Sequence, residues 1–286
     1  MKIPLRQFVL LLSPVLPFAV LLYYCVSWNV WFALTNYSLL NPVPRFAGLQ
    51  SFIEIFSDPR FLNSLQNTLL WALLLVALGN TVGLLLASAI FQFTSSRVRS
   101  ALTTFFIYPL SLSLVVVGIT WRWLFDAYKG FNVIFSQLGL PQVRWLEGQN
   151  AFWSMVLVSL WVYTGFIAML YLGMFYNVDR STIESAMVDG ADMFTIMARI
   201  VIPASRQGLI ISTVFLLLFG LQMFDLPYTV LYLNPFTMTV VMYSFERYVA
   251  MYFYQASAAA LVLVMISAFI VIPYSLYGLK RWVMGR

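Results

Sequence analysis

The chain has 286 residues, of which 62% are hydrophobic and 9% charged, against about 25% charged in ordinary soluble domains. A fold of this length has no interior able to hide that much apolar surface, which excludes a soluble enzyme and implies a polytopic membrane protein. The net charge of +6 then reads as membrane topology with no nucleic acid involved, while the absence of His and a lone Cys25 leave no disulfide or Cys/His metal site within the chain.

Six apolar runs are each long enough for the roughly 20 helical residues that cross a bilayer. They are Phe8–Leu34, Thr68–Phe93, Ala101–Phe125, Ala151–Tyr176, Gly208–Leu233 and Ala256–Leu279. They are continuous, where barrel strands would alternate lipid-facing and lumen-facing residues. The first follows a short basic tail, Met1–Gln7. It exceeds the roughly 7–15 apolar residues of a cleaved signal peptide, so it is expected to remain a membrane helix. Thr35–Asn67 reads as a loop holding an amphipathic interfacial helix with Phe52, Ile55 and Phe56 on one side. Arg97 and Arg99 anchor the short connection Thr94–Ser100. In the third run Pro109 removes a backbone hydrogen bond and predicts a kink, and Trp121 and Trp123 are expected in an interfacial aromatic belt. Lys129–Asn150 reads as a connection, with no sign of a separate domain.

The basic residues set the orientation. With both termini in the cytoplasm, the inner face holds Lys2, Arg6, Arg97, Arg99, Arg180, Arg199, Arg206, Lys280, Arg281 and Arg286, ten of the 16 basic residues. The outer face holds Arg45, Arg60, Arg122, Lys129, Arg144 and Arg247, a positive-inside bias.

The polar island Asn177–Gln207 separates the fourth and fifth runs. Ser181 to Glu184 has the spacing of a capping box, with Ser181 as N-cap and Glu184 reaching back. Gly190 suits a helix-ending left-handed residue and Asp192 suits the next N-cap. Pro203 is expected to stop that second helix near Ile202. Phe194, Met197 and Val201 recur at helical spacing on it, with Ile196 and Ile200 close by. By itself the hairpin fits either packing on the protein's own inner face or docking in a partner's groove.

In the fifth run, Asp225 is the acid within an apolar segment, which makes it a functional-site candidate, and Pro227 frees a backbone carbonyl nearby. Asp225 lies 17 residues past Gly208, roughly 26 Å along a continuous helix, toward the outer side. Both direct solute contact and a structural or gating role fit. Gln222 and Tyr228 carry groups suited to solute hydroxyls. Tyr254–Ala260 offers a small-residue face for close helix packing, including against a partner membrane subunit.

From Glu184 through Ser185, Ala186, Asp189, Gly190 and Ala191 to Ile200, Ile202 and Pro203, the island resembles the EAA loop of binding-protein-dependent ABC importer permeases of the carbohydrate type. Ser185 stands where the family has Ala, and Ile202 where it has Leu. The stretch Asp58–Asn67, the spacing of Pro109, Ser113 and Trp121, and Phe224-Asp225 with Tyr228 are similar to the same permeases, as is Tyr254–Ala260. Leu231-Tyr232-Leu233-Asn234-Pro235 departs from the family's Leu-Thr-x-Gly-Gly-Pro. The resemblance implies an all-α fold of six transmembrane helices, the type I ABC importer transmembrane domain, spanning 1–286 with its core at about 64–280. It implies that 177–207 is a coupling loop touching the ATPase through Glu184, Ala186, Asp189, Gly190, Ala191, Phe194, Met197, Ile200 and Pro203. Gln222, Asp225 and Tyr228 would line the substrate path. The implied partners are an ABC ATPase dimer, a second permease subunit, an extracytoplasmic solute-binding protein and a sugar, in the cell membrane. No cofactor would bind this chain, and ATP and Mg would be hydrolysed by the ATPase.

Rival classes are less well served. A secondary transporter needs coupling-ion or proton-relay residues, for which Asp225 alone is thin. An intramembrane hydrolase lacks a His, a nucleophile elbow and paired aspartates in its helices. A channel leaves the polar island unexplained.

Overall fold

The computed structural model describes residues 13, 15–93 and 95–284, and the regular elements among them are helices. In chain order these are α1 (Val15–Ala33), α2 (Gln50–Ser57), α3 (Pro59–Phe91), α4 (Ser96–Ser111), α5 (Leu114–Leu124), α6 (Phe131–Gln137) and α7 (Gly148–Phe175). There follow α8 (Arg180–Val188), α9 (Met193–Ala204), α10 (Arg206–Leu221), α11 (Asp225–Leu231), α12 (Val240–Val249) and α13 (Phe253–Met284). Among the described residues, α1, α3, α7, the α10–α11 stretch and Phe253–Pro273 of α13 are long and apolar enough to cross a membrane. The α4–α5 pair is a sixth span if taken together across its 96° bend. Five of the six expected runs are thus present as spans, and the third is present as this bent pair. The basic tail and the first residues of the first run lie outside the described residues.

The chain packs as two units, one of residues up to Leu62 with Tyr243–Met265, the other containing Asn63–Met242. In the first, the expected amphipathic helix is α2, with Ile55 buried and Phe56 edge-on to Phe61. Here Asp58 pairs with Arg247 at 2.8 Å and accepts the Tyr243 hydroxyl proton at 2.8 Å. Burial works against the Asp58 charge, but the Arg60 N–H, the Tyr243 hydroxyl and the Arg247 charge outweigh it and hold the carboxyl below its usual range. Ala256, Ala258 and Ala259 are already buried within the chain, so the small-residue face at the start of α13 is largely occupied by intramolecular packing.

In the second unit α7 is the central post, packed by α3, α4 and α10. It is buried over two thirds of its apolar window, and its Val158, Val162, Ile167 and Phe175 are fully enclosed. Lipid is as apolar as these side chains, so close backbone approach and polar contacts must supply specificity. Gly165 provides the closest approach: a Cβ there would stand 1.8 Å from the Phe106 carbonyl oxygen of α4. Asn80 supplies the polar contact. It follows a π turn (Leu75–Gly79) in α3, and its amide donates to Val76 O at 2.9 Å and to Thr213 Oγ1 of α10 at 3.1 Å. Its carbonyl accepts from Tyr171 of α7 at 3.0 Å and from Ser212 of α10.

Trp121 is half-buried against Phe125, Phe131 and Trp161, whereas Trp123 is 72% exposed. The 129–150 stretch is ordered around buried Asn132, whose amide donates to the carbonyls of Asp126, Ala127 and Val143 and whose carbonyl accepts the Val143 N–H.

Candidate functional site: a helical hairpin and a cavity between broken helices

The island between α7 and α10 folds as two helices joined at a glycine, as the spacing predicts, but its start differs. Asp179, not Ser181, is the N-cap of α8: its carboxylate accepts the Ser181 N–H at 3.1 Å and the Ser181 hydroxyl at 2.8 Å. Those bonds, the hydroxyl first, hold Asp179 below its ordinary pKa. Glu184 therefore has no capping work to do, and instead pairs with exposed Arg180 one turn back at 3.1 Å. The motif's acid is thus presented on the surface.

The glycine and the two alanines are one device. Gly190 has φ +84°, the left-handed region that a side chain disfavours. Around it the Gly190 N–H reaches Met187 O at 3.1 Å and the Ala191 N–H reaches Ala186 O at 2.9 Å. This is the paired closure of a Schellman turn, in which the residues at the positions of Ala186 and Ala191 meet. Both are half-buried against the core, which explains small residues there.

Asp192 then caps α9, accepting the Thr195 N–H at 3.0 Å, and Thr195 holds its carboxyl low. The expected stop near Ile202 is overturned. A π turn at Met197–Val201, closed by the Ile202 N–H on Met197 O, carries the helix through Pro203 to Ala204. That register tolerates a residue with no N–H to give.

The faces of α9 divide. Ile196 and Val201 are fully buried and Met197 is 4% exposed, all in the chain's own core, so Met197 holds the hairpin down instead of reaching outward. Ile200 is half-buried. Phe194 is 78% exposed, and Val188 at the end of α8 is 87% exposed. Asp189, Gly190 and Pro203 are also exposed. Two large apolar side chains beside a charged turn form a projecting knob. Val188 was missed in the sequence because it lies outside the motif's fixed positions.

The second feature sits where two spans break. The α4–α5 break at Leu112–Ser113 lies three residues past Pro109, a sharper event than a kink. The fifth run is interrupted at 222–224, so the continuous-helix depth reckoned for Asp225 does not apply. Pro227 lies in the first turn of α11, and the carbonyl it frees, Met223 O, accepts the buried Thr239 hydroxyl at 2.7 Å instead of facing a cavity. Between the breaks is a cavity of about 340 Å³ lined by Leu110, Leu114, Tyr163, Phe219, Gln222, Met223, Phe224 and Asp225. Tyr163 stacks on Phe219 at 4.3 Å and makes an aromatic wall. Gln222 and Asp225 thus come together in one cavity. Tyr228 does not line it, but stacks on the lining Phe224 at 5.0 Å. Tyr163 gave no sequence signal beyond an aromatic in an apolar run. Among the described residues no cluster of acids and thiols could hold a metal ion.

Residues 79–284 match the family described as "Binding-protein-dependent transport system inner membrane component". The glucose import system permease protein GlcT of Saccharolobus solfataricus is 37% identical, over 96% of this chain and 97% of its own length. The trehalose/maltose transport system permease protein MalF of Thermococcus litoralis is 27% identical, over 76% of this chain and 73% of its own. In a crystal structure of a bacterial alginate ABC transporter with its pentasaccharide-bound periplasmic protein, one chain superposes with a TM-score of 0.81 at 22% identity, over 94% of this chain and 92% of that one. The last comparison speaks to fold alone. This chain belongs to the family of inner membrane permease components of binding-protein-dependent ABC importers.

Proposed function

We propose that this permease is one of two membrane subunits that carry a sugar inward at the expense of ATP hydrolysed on a separate ATPase dimer. The observation that carries the reading is the α8–α9 hairpin: a Schellman turn at Gly190, rooted by Ile196, Met197 and Val201, projects Phe194, Val188 and Glu184 away from the core. A short apolar knob with a charged rim suits a groove on a partner. Both termini lie in the cytoplasm on the positive-inside argument, which puts the hairpin where ATP is available. No cofactor binds this chain; ATP and Mg belong to the ATPase.

The mechanism is alternating access. Closure of the ATPase dimer pulls the hairpin, and α7 and α10, continuous with its two ends, tilt with it. The cavity between the two breaks then opens toward one side or the other. Gln222 and Asp225 hydrogen-bond solute hydroxyls while the Tyr163–Phe219 pair offers an apolar wall to a sugar ring. The solute biases the cycle only to the extent that it binds the two states differently. The names of the relatives, which include importers of glucose, of trehalose and maltose and of xylose and arabinose, support a sugar. An extracytoplasmic binding protein delivers it. An ion-coupled secondary mechanism is not favoured, since family membership and the hairpin both point to an ATPase.

The test is co-purification from native membranes in mild detergent, followed by uptake in proteoliposomes. Recovery of an ATPase and a second permease, with uptake of D-glucose, trehalose or D-xylose that needs ATP and binding protein, is expected. Disruption of 184–203 should release the ATPase. Sugar uptake by the purified chain without an ATPase would refute the reading.

A further inference from the structure

The α5–α11 pair borders two cavities, and the mechanism above uses one. The other, about 800 Å³, lies at the far ends of the same helices and is lined by Arg122, Trp123, Asp126, Lys129 and Thr229. The two are strung along one seam. On α5, Leu114 lines the first cavity, Gly118 meets Thr229, and Arg122 lines the second, at intervals of four residues on one stripe. On α11, Asp225 and Thr229 are likewise one turn apart and line the first and second cavities. Leu114 and Arg122 are separated by about 12 Å of helix, little more than the length of a monosaccharide ring with its substituents.

The second cavity is built on a rigid shelf. Asn132 holds the carbonyls of Asp126 and Ala127, the Tyr128 N–H donates to Asp126 Oδ1 at 2.9 Å, and Gly130 turns at φ +52°. A Cβ on Gly130 would stand 2.2 Å from the Leu124 carbonyl, so the shelf closes directly on the end of α5. Trp123 is 72% exposed and presents a broad apolar ring. A carboxylate fixed by its own loop, with two exposed cations and an exposed indole beside it, is the chemistry that recognises vicinal hydroxyls and the apolar face of a pyranose.

We propose that this cavity is a second carbohydrate site, an outer vestibule that receives the sugar before it passes along the α5–α11 seam to the Gln222–Asp225 cavity. The proposal rests on the sugar-import reading. Trp123 stacks on the ring, Asp126 accepts from its hydroxyls, and Arg122 and Lys129 donate to them.

The test uses the assembled transporter in nanodiscs, labelled with 5-fluorotryptophan, with Trp123→Phe assigning the Trp123 fluorine resonance. D-glucose, trehalose and D-xylose are titrated without binding protein, and ATP-driven uptake of the same sugars is measured in parallel. A saturable shift of the Trp123 signal with the transported sugar is expected. It should persist in Asp225→Asn and weaken roughly tenfold in Asp126→Asn, the loss of one charge-assisted hydrogen bond. ATP-driven uptake with no such shift overturns the vestibule and leaves the import reading intact. A shift caused by sugar-free binding protein, and not by sugar, assigns the surface to protein docking and also overturns it. Absence of ATP-driven uptake for every sugar is the failure of the import reading itself.

Discussion

Replacing Gly165 by Ala adds one methyl group at the closest helix approach found at any described glycine. An ideal Cβ at that position stands 1.8 Å from the Phe106 carbonyl oxygen and 2.8 Å from the Ile107 nitrogen. An unstrained C···O contact is about 3.3 Å, so α4 and α7 would have to part by roughly 1.5 Å. The obstacle is backbone, which no rotamer change can move aside. Overpacking of this kind typically costs about 1–3 kcal/mol, and the upper end applies here because a whole helix must shift. The displaced turn leads within a few residues to Leu110 and the α4–α5 break, so the cavity should widen as well. Gly173 in the same helix has nothing within 4 Å, and its Ala variant serves as the control. The assay is fluorescence-detected thermal melting of the assembled transporter, together with sugar delivered per ATP hydrolysed. Gly165→Ala should lower both the melting temperature and the coupling ratio, and Gly173→Ala should change neither appreciably. Wild-type melting and coupling in Gly165→Ala, or equal damage in both variants, would refute the argument from close approach.

Phe194→Ala should leave the melting temperature alone yet release the ATPase, whereas Met197→Ala should destabilise by about 2–5 kcal/mol because it opens a cavity in the core; melting and pull-down on both variants check this. Gly190→Val forces a branched residue to φ +84° at about 1–2 kcal/mol and should reduce ATPase retention, read by the same pull-down. Asn80→Leu strips the amide that joins α3 to α10 and α7, and a melting measurement should show a loss of about 1–2 kcal/mol, modest because bilayer-embedded hydrogen bonds are modest. Asp58 has a folded pKa below its ordinary 3.8, so its contribution to stability is full above that value and fades as pH falls through the lower, folded one. Asp58→Asn should therefore melt lower at neutral pH and lose that acid-side dependence, which a melting series from pH 7 downward would reveal.

What could be read in advance follows from which interactions are local. The apolar runs, the Gly190 turn and the Asp192 cap depend on neighbours within a few residues and appear where the spacing put them, save that the third and fifth runs are broken at 112–113 and 222–224. The N-cap of α8 was misread because Asp179 and Ser181 are both good caps two residues apart, and the carboxylate takes the Ser181 hydroxyl as well as its N–H. The facing of α9 depends on the core beneath it. Helical spacing placed Phe194, Met197 and Val201 near one stripe, but Phe194, in the first turn of α9, is exposed while the other two are buried in the core. The Asn80 cluster joins residues up to 133 positions apart, for which one sequence carries no signal beyond an amide in an apolar run.

The cavity and the helix breaks have a common cause. In hydrocarbon, a backbone group without a partner costs several kcal/mol, so a spanning helix can be interrupted only where protein or a polar space takes up the freed groups. At 222–224 that requirement is met by Thr239, brought from 16 residues downstream to the Met223 carbonyl. At Leu112 the N–H turns back to Pro109 O at 3.2 Å. Two such interruptions border one cavity, where Gln222 and Asp225 project beside an aromatic pair. Asp225 is exposed at that same gap in the helix wall, where it lines the cavity. Sequence marked the place through Asp225 and the flanking prolines, because prolines and acids are rare in spans unless a break makes room for them.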